Sequence, residues 1–136
     1  MKKYKTYIAS PYTNGAAADN VRRQLDAQKV LMDKKFVPFA PLLAHFAAIH
    51  HHRPEREWLS WDLEWLKTCD FVVRIRPTDG DGIEVYSNGS DIEEKTAGDN
   101  NIPVYNFESV EELKIWLITY EQEDIQKDID RLKPGQ

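Results

Sequence analysis

The chain has 136 residues, a formal net charge of −5 and a single cysteine, Cys69. That length suits one domain with one sizeable core. The mild acidity argues against a nucleic-acid polymer or an anionic membrane as the main partner, and one cysteine excludes an internal disulfide and fits a reducing cytoplasm. No run is long and apolar enough for a transmembrane helix and no apolar leader follows Met1, so a protein that is not exported is expected.

Residues 4–9 read as a short strand of β-formers, followed by the turn-rich loop Ser10-Pro11-Tyr12-Thr13-Asn14-Gly15. Residues 18–34 read as a helix with Val21, Leu25, Leu31 and Met32 near one face. Residues 36–40 form a second strand, and Pro38 places it at a sheet edge. A short helix is expected over 42–49. Pro54 and Glu55 open a clearer helix that runs to about Thr68. A buried strand over 71–75, a long loop over 76–89, a helix over 91–98 and a strand over 102–107 follow. Ser109 and Glu112 form a capping-box signature at the start of a final helix, which either continues toward Leu132 or breaks near Glu121. Alternating strands and helices imply parallel βαβ units. The expected fold is an α/β, three-layer flavodoxin- or Rossmann-like sandwich with a parallel sheet of four to five strands. The expected organisation is a single domain over 1–136, with a helical extension over about 109–132.

Three segments bear candidate chemistry. Ser10 and Tyr12 follow the first strand, where backbone amides and a hydroxyl can hold a phosphate or sugar oxygen and the ring can stack on a base; an ordinary βα turn explains the same residues. Asp62 falls on one helical stripe with Trp58, Trp61 and Trp65, and a carboxylate there needs a partner or a pocket. The Trp stripe also fits a core or a subunit interface. Ser87, Gly89 and Glu93 follow the strand over 71–75, at the end of an α/β sheet where ligands bind. A Glu held by a Gly-containing turn can serve as nucleophile or acid/base group, although Ser90 and Glu93 also match a capping box. His45 follows the second strand and is either a pocket residue or a helix start. His50, His51 and His52 are consecutive and do not converge on a metal. No metal and no cofactor is expected.

The ordered set Tyr7-Ile8-Ala9-Ser10-Pro11-Tyr12, then Asp62 with Asp70 eight residues on, then Ser87-x-Gly89-x-x-x-Glu93-x-x-x-Ala97 resembles the nucleoside 2-deoxyribosyltransferase superfamily, in particular its small bacterial and phage branch. The resemblance spans residues 4–107. It implies that Glu93 attacks or stabilises the anomeric carbon and that Asp62 handles protons at the base or sugar. It also implies that Ser87 contacts the 5′ side, as the phosphate-binding Ser does in the related deoxynucleoside 5′-monophosphate N-hydrolases. The implied partner is a small nucleoside or nucleotide, and the implied assembly is a homodimer paired across the active-site side. Asp91 stands where the superfamily often has Gly. The segment Gly80-Asp81-Gly82-Ile83-Glu84 mimics the motif one loop too early. A nucleotide-binding or assembly protein without turnover is the competing expectation.

Overall fold

The computed structural model describes residues 2–134; the side chain of His45 lies outside the described residues. Four strands form one fully parallel sheet: β1 (Lys5–Ala9), β2 (Val37–Phe39), β3 (Phe71–Ile75) and β4 (Val104–Phe107), in the order β2-β1-β3-β4. The helices are α1 (Ala17–Asp33), α2 (Ala44–His50), α3 (Glu55–Leu66), α4 (Asn88–Asp99), α5 (Val110–Thr119) and α6 (Gln122–Leu132), with a 3-10 turn at Pro41–Leu43. This is the expected three-layer α/β sandwich, with four strands among the described residues.

Strand alternation divides the core. Ile8, Phe71, Val73 and Ile75 face α1, α5 and α6, where they meet Ala27, Leu31, Leu113, Leu117, Ile125 and Ile129. Tyr7, Ala9 and Val72 face the opposite layer and meet Leu66 of α3 and Ala97 of α4. Pro38 pairs with Thr6 on the edge strand, where its missing N–H costs no ladder bond. The C-terminal segment breaks after Thr119. Tyr120 donates a hydrogen bond to Asp128, and so does Tyr105 of β4 at 2.6 Å, which folds α6 back onto the core.

The structure corrects two helix readings. The buried face of α1 is Asn20, Gln24, Ala27 and Leu31; Met32 is exposed and Val21 and Leu25 are half-buried. Two amides sit on that face because the loops at the end of the sheet need donors and acceptors there. Helix α4 starts at Asn88 rather than Asp91. Its N-cap is Ser87, whose hydroxyl accepts from the backbone N–H of Ser90 at 3.1 Å. The capping-box reading of Ser90 and Glu93 is therefore wrong. Gly89 lies in the first helical turn rather than in a turn before the helix. At Ser109 the expected cap is present, but Glu112 reaches back to the N–H of Glu108 instead of to that of Ser109.

Candidate active site

The sheet order changes direction between β1 and β3, and a cleft opens beyond the strand ends near that point, as open α/β sheets dictate. Its walls come from the loop after β1 (Ser10, Tyr12), the turn after β2 (Pro41, Leu42), helix α3 (Trp58, Asp62) and the start of α4 with its cap (Ser87, Asn88, Gly89, Ser90, Glu93). The cleft holds about 150 Å3. It adjoins a second hollow of about 260 Å3, lined by Ala44, Ala48, His52 and Arg53; Tyr12, Trp58 and Asp62 line both.

Two amides of α1 shape this end of the molecule. Gln24, fully buried, donates to Ile8 O at 3.2 Å and Ser10 Oγ at 2.9 Å, and its Oε1 accepts from Leu42 N at 2.7 Å. One side chain thus ties the ends of β1 and β2 together. Asn20 donates to Tyr12 O and Asn14 O, at 2.9 and 2.8 Å. Asn14 in turn donates to Tyr86 O at 2.6 Å, joining the first loop to the segment that enters α4. Each buried amide answers backbone groups that would otherwise lose their partners.

Glu93 lies in the stripe Ser90, Glu93, Ala97 that α4 turns toward the sheet, and it is 6% exposed. Tyr7, on the sheet face below, donates its hydroxyl hydrogen bond to Glu93 Oε2. Burial pushes the Glu93 carboxyl up to about 8, with Asp62 raising it further and the Tyr7 hydrogen bond and Arg74 opposing. Burial also pushes Asp62 up to about 7, and its Oδ1 is buried with no protein partner. Two acids in one cleft thus have affinities for a proton near neutrality, a range suited to proton transfer. The Tyr7 hydroxyl is pushed far upward by burial and by Glu93, so it stays a donor.

Of the sequence candidates, Ser10, Tyr12, Asp62, Ser87, Gly89 and Glu93 all line the same cleft. The side chain of His45 falls outside the described residues. Asp70 stands at the opposite end of the sheet, where it accepts from Lys5 N at 2.8 Å and pairs with Lys2 at 3.3 Å. The Trp stripe splits: Trp58 lines the cleft, whereas Trp61 and Trp65 pack on Phe39 with ring centroids 6.4 and 5.8 Å away. Glu84 is exposed and makes a two-pronged pair with Arg76 at 3.1 and 3.2 Å, in a hairpin-like loop outside the cleft. Asp91 does not line the cleft either. Its carboxylate lies 2.7 Å from the buried guanidinium of Arg74 on β3.

Sequence reasoning missed Tyr7, Trp58 as a wall residue, Asn14 and Tyr86. For Tyr7 a signal was present: a Tyr on a buried central strand must find a partner for its hydroxyl. Burial also keeps the Cys69 thiol protonated, pushing it up to about 11. Among the described residues no group of three or more His, Cys, Asp or Glu is placed to hold a metal ion. No helix among them is long and apolar enough to cross a membrane.

The family model described as "Domain of unknown function (DUF7768)" matches residues 4–107, a span that holds every wall of the cleft. The chain belongs to this family. A search of curated proteins finds no match. Among solved structures, a 2-deoxyribosyltransferase from Bacillus psychrosaccharolyticus is similar, with a TM-score of 0.59 and 20% sequence identity over 89% of this chain and 95% of that one. At that identity the likeness is one of fold, and it supports the distant deoxyribosyltransferase-like architecture. That enzyme is described as a biocatalyst for the synthesis of antiviral and antitumoral nucleosides.

Proposed function

We propose that the protein cleaves or transfers the N-glycosidic bond of a nucleoside or nucleoside 5′-monophosphate. The observation that carries this reading is the pair of buried carboxylates, Glu93 and Asp62, facing one cleft with proton affinities near neutrality. The pair reacts from the form that holds its proton on Asp62, the minor one in the empty cleft because Glu93 has the higher proton affinity. Ionised Glu93, favoured by the Tyr7 hydrogen bond and Arg74, attacks C1′ as the bond from C1′ to the base nitrogen breaks, and Asp62 delivers its proton to the departing base. A water then attacks C1′, gives a proton to Asp62 and frees Glu93. If a second base takes the sugar instead, the enzyme is a transferase. Both outcomes follow the logic of paired-carboxylate glycoside chemistry. The steps require no cofactor.

Tyr12 and Trp58 hold the base, next to Asp62. Ser10, Ser87, Gly89 and the amides at the start of α4 bind the sugar and its 5′ end, where a helix N-terminus favours an anion. Among the described residues the cleft itself is lined by Glu55, Asp62 and Glu93 and by no Lys or Arg, with Arg53 in the adjoining hollow, so hydroxyl and amide donors carry the phosphate recognition. The protein works as a homodimer. Phe46 and Ile49 on α2 and Trp61 and Trp65 on α3 leave apolar surface exposed that a second copy can cover.

The test is a screen for free base. Purified protein is incubated with the common ribo- and deoxyribonucleosides and their 5′-monophosphates, with and without a second base as acceptor. Release from at least one substrate, lost in Glu93→Gln, is the expected result. Binding without release in every case would refute catalysis and favour a nucleotide-binding role on the same fold.

A further inference from the structure

Arg74 occupies an unusual place for a cation. It is the fourth residue of β3, flanked by fully buried Val73 and Ile75, and is itself 4% exposed. Strand alternation and the register Tyr7↔Val72 and Ala9↔Arg74 put it on the same sheet face as Tyr7, under α4. From there its guanidinium reaches two carboxylates on that helix, Asp91 at 2.7 Å and Glu94 at 3.4 Å. A buried ion pair is weak support for stability, because taking both charges out of water offsets much of their attraction. An apolar residue at position 74 would serve packing as well. What the pairs do accomplish is geometric. Asp91 and Glu94 bracket Glu93 in the chain, and a planar fork bonded to both fixes the helix in rotation and in height above the sheet.

We infer that Arg74 is a positioning residue for Glu93: by gripping Asp91 and Glu94 from the strand below, it seats the Glu93 carboxylate over the Tyr7 hydroxyl and inside the cleft. This rests on the proposed role of Glu93. The grip also leaves one guanidinium N–H to spare. The Arg74 Nε is buried without a protein partner, and Arg74 acts on Glu93 to favour its ionised form. The other groups facing Glu93 are Tyr7 from β1 and Asp62 from α3. Glu55 lines the same cleft, Cys69 acts on Tyr7, and Asp91 and Glu94 stand on α4 itself. Among these described groups Arg74 is the one positive charge. The sequence carries a matching sign: Asp91 replaces the Gly often found two residues before the Glu in the superfamily that this chain resembles. That Asp and the strand Arg form one device.

The experiment is a pH titration of the Glu93 carboxyl carbon by NMR on the full chain, assigned with Glu93→Gln. It is run on wild type, Arg74→Met, Arg74→Gln, Arg74→Lys and Asp91→Asn. Loss of the Arg74 charge is expected to raise the Glu93 midpoint by about one pH unit, a tenfold change in its acid dissociation constant. Arg74→Lys restores most of the shift. Asp91→Asn, on a half-exposed side chain, covers the case in which neither uncharged variant folds; it removes a nearby negative charge and moves the midpoint down. In base-release assays, Arg74→Met is expected to lower kcat about tenfold or more with little change in KM, the pattern of an interaction made in the transition state. A Glu93 midpoint unmoved in every folded variant overturns the inference. The titration needs no turnover, so absence of base release from wild type would count against the proposed function while the titration still decides the role of Arg74.

Discussion

Tyr7 on β1 donates its hydroxyl hydrogen bond to Oε2 of Glu93 on α4, across 86 residues of chain. The pair joins the central strand to the helix that closes the cleft. A hydrogen bond to a charged group contributes about 1.5–3 kcal/mol, so Tyr7 favours the ionised form of Glu93 against burial. Tyr7→Phe removes that donor and leaves the ring packing in place. Base release in this variant is expected to fall about 10–100-fold in kcat/KM, since each tenfold loss corresponds to about 1.4 kcal/mol of barrier. The pH at half-maximal rate on the acid side should move up. A Tyr7→Phe enzyme with wild-type kcat/KM and profile would remove Tyr7 from the site.

Glu93→Gln is expected to abolish turnover and stabilise the fold at alkaline pH. The sign follows from proton binding. The carboxyl of Glu93 is raised from about 4.5 to about 8 in the folded state, so the native protein holds a proton that the unfolded chain has released. Stability from this group is full below the unfolded value and is lost as pH rises through the folded one. Asp62, raised from 3.8 to about 7, adds a slope of the same sign. Wild-type Tm should therefore fall between about pH 5 and 9, and Glu93→Gln should flatten that fall. A Gln variant that is less stable than wild type at pH 9 would mark Glu93 as a structural residue.

Glu84→Gln should be nearly harmless. Glu84 is exposed and, among the described residues, its carboxylate pairs with Arg76 in the loop before α4, and an exposed pair contributes about 0–1 kcal/mol. Parallel kcat/KM measurements on the two Glu→Gln variants test the placement of the motif. Loss of activity in Glu84→Gln with retention in Glu93→Gln would invert it.

Ser87 caps α4 and lines the cleft, so it admits a charge test that spares the cap. Asp is as good an N-cap as Ser, so Ser87→Asp should keep the helix start. The wild type is expected to favour a 5′-monophosphate over the bare nucleoside, and Ser87→Asp to reduce or reverse that preference, because a carboxylate repels the dianion that a hydroxyl can bind. The ratio of kcat/KM values for one nucleoside and its monophosphate measures this. A wild-type ratio in favour of the nucleoside would reject the phosphate assignment and leave the glycosidic chemistry untouched.

Light scattering at micromolar concentration is expected to give a dimer. Trp61 and Trp65 on α3 are each about half exposed, and replacing both with Glu should shift the mass to that of one chain. A wild-type protein that is monomeric in this experiment would leave that apolar surface without the proposed occupant.

The family resemblance grouped Ser10, Asp62, Ser87 and Glu93 as one set of candidates, whereas local pattern alone determined the order of strands and helices and the edge position of Pro38. Those last two features depend on periodicity, breakers and spacing, which are properties of neighbouring residues. The sequence allows both a break and a continuous helix between α5 and α6, because Glu121 can cap a new helix or continue an old one until Tyr105 and Tyr120 bind Asp128. Only the tertiary structure decided the rest. Ser90 and Glu93 satisfy the capping-box spacing, yet Tyr7 takes the Glu93 carboxylate and Ser87 caps the helix instead. Asp91 stands in the sequence where the resembled superfamily often has Gly, and the fold turns it to Arg74. Asn20 and Gln24 break the apolar pattern of α1 because distant loops need their amides. In each case a polar group removed from water has to find its partner in space, and the partner lies on another element, where no local pattern reaches.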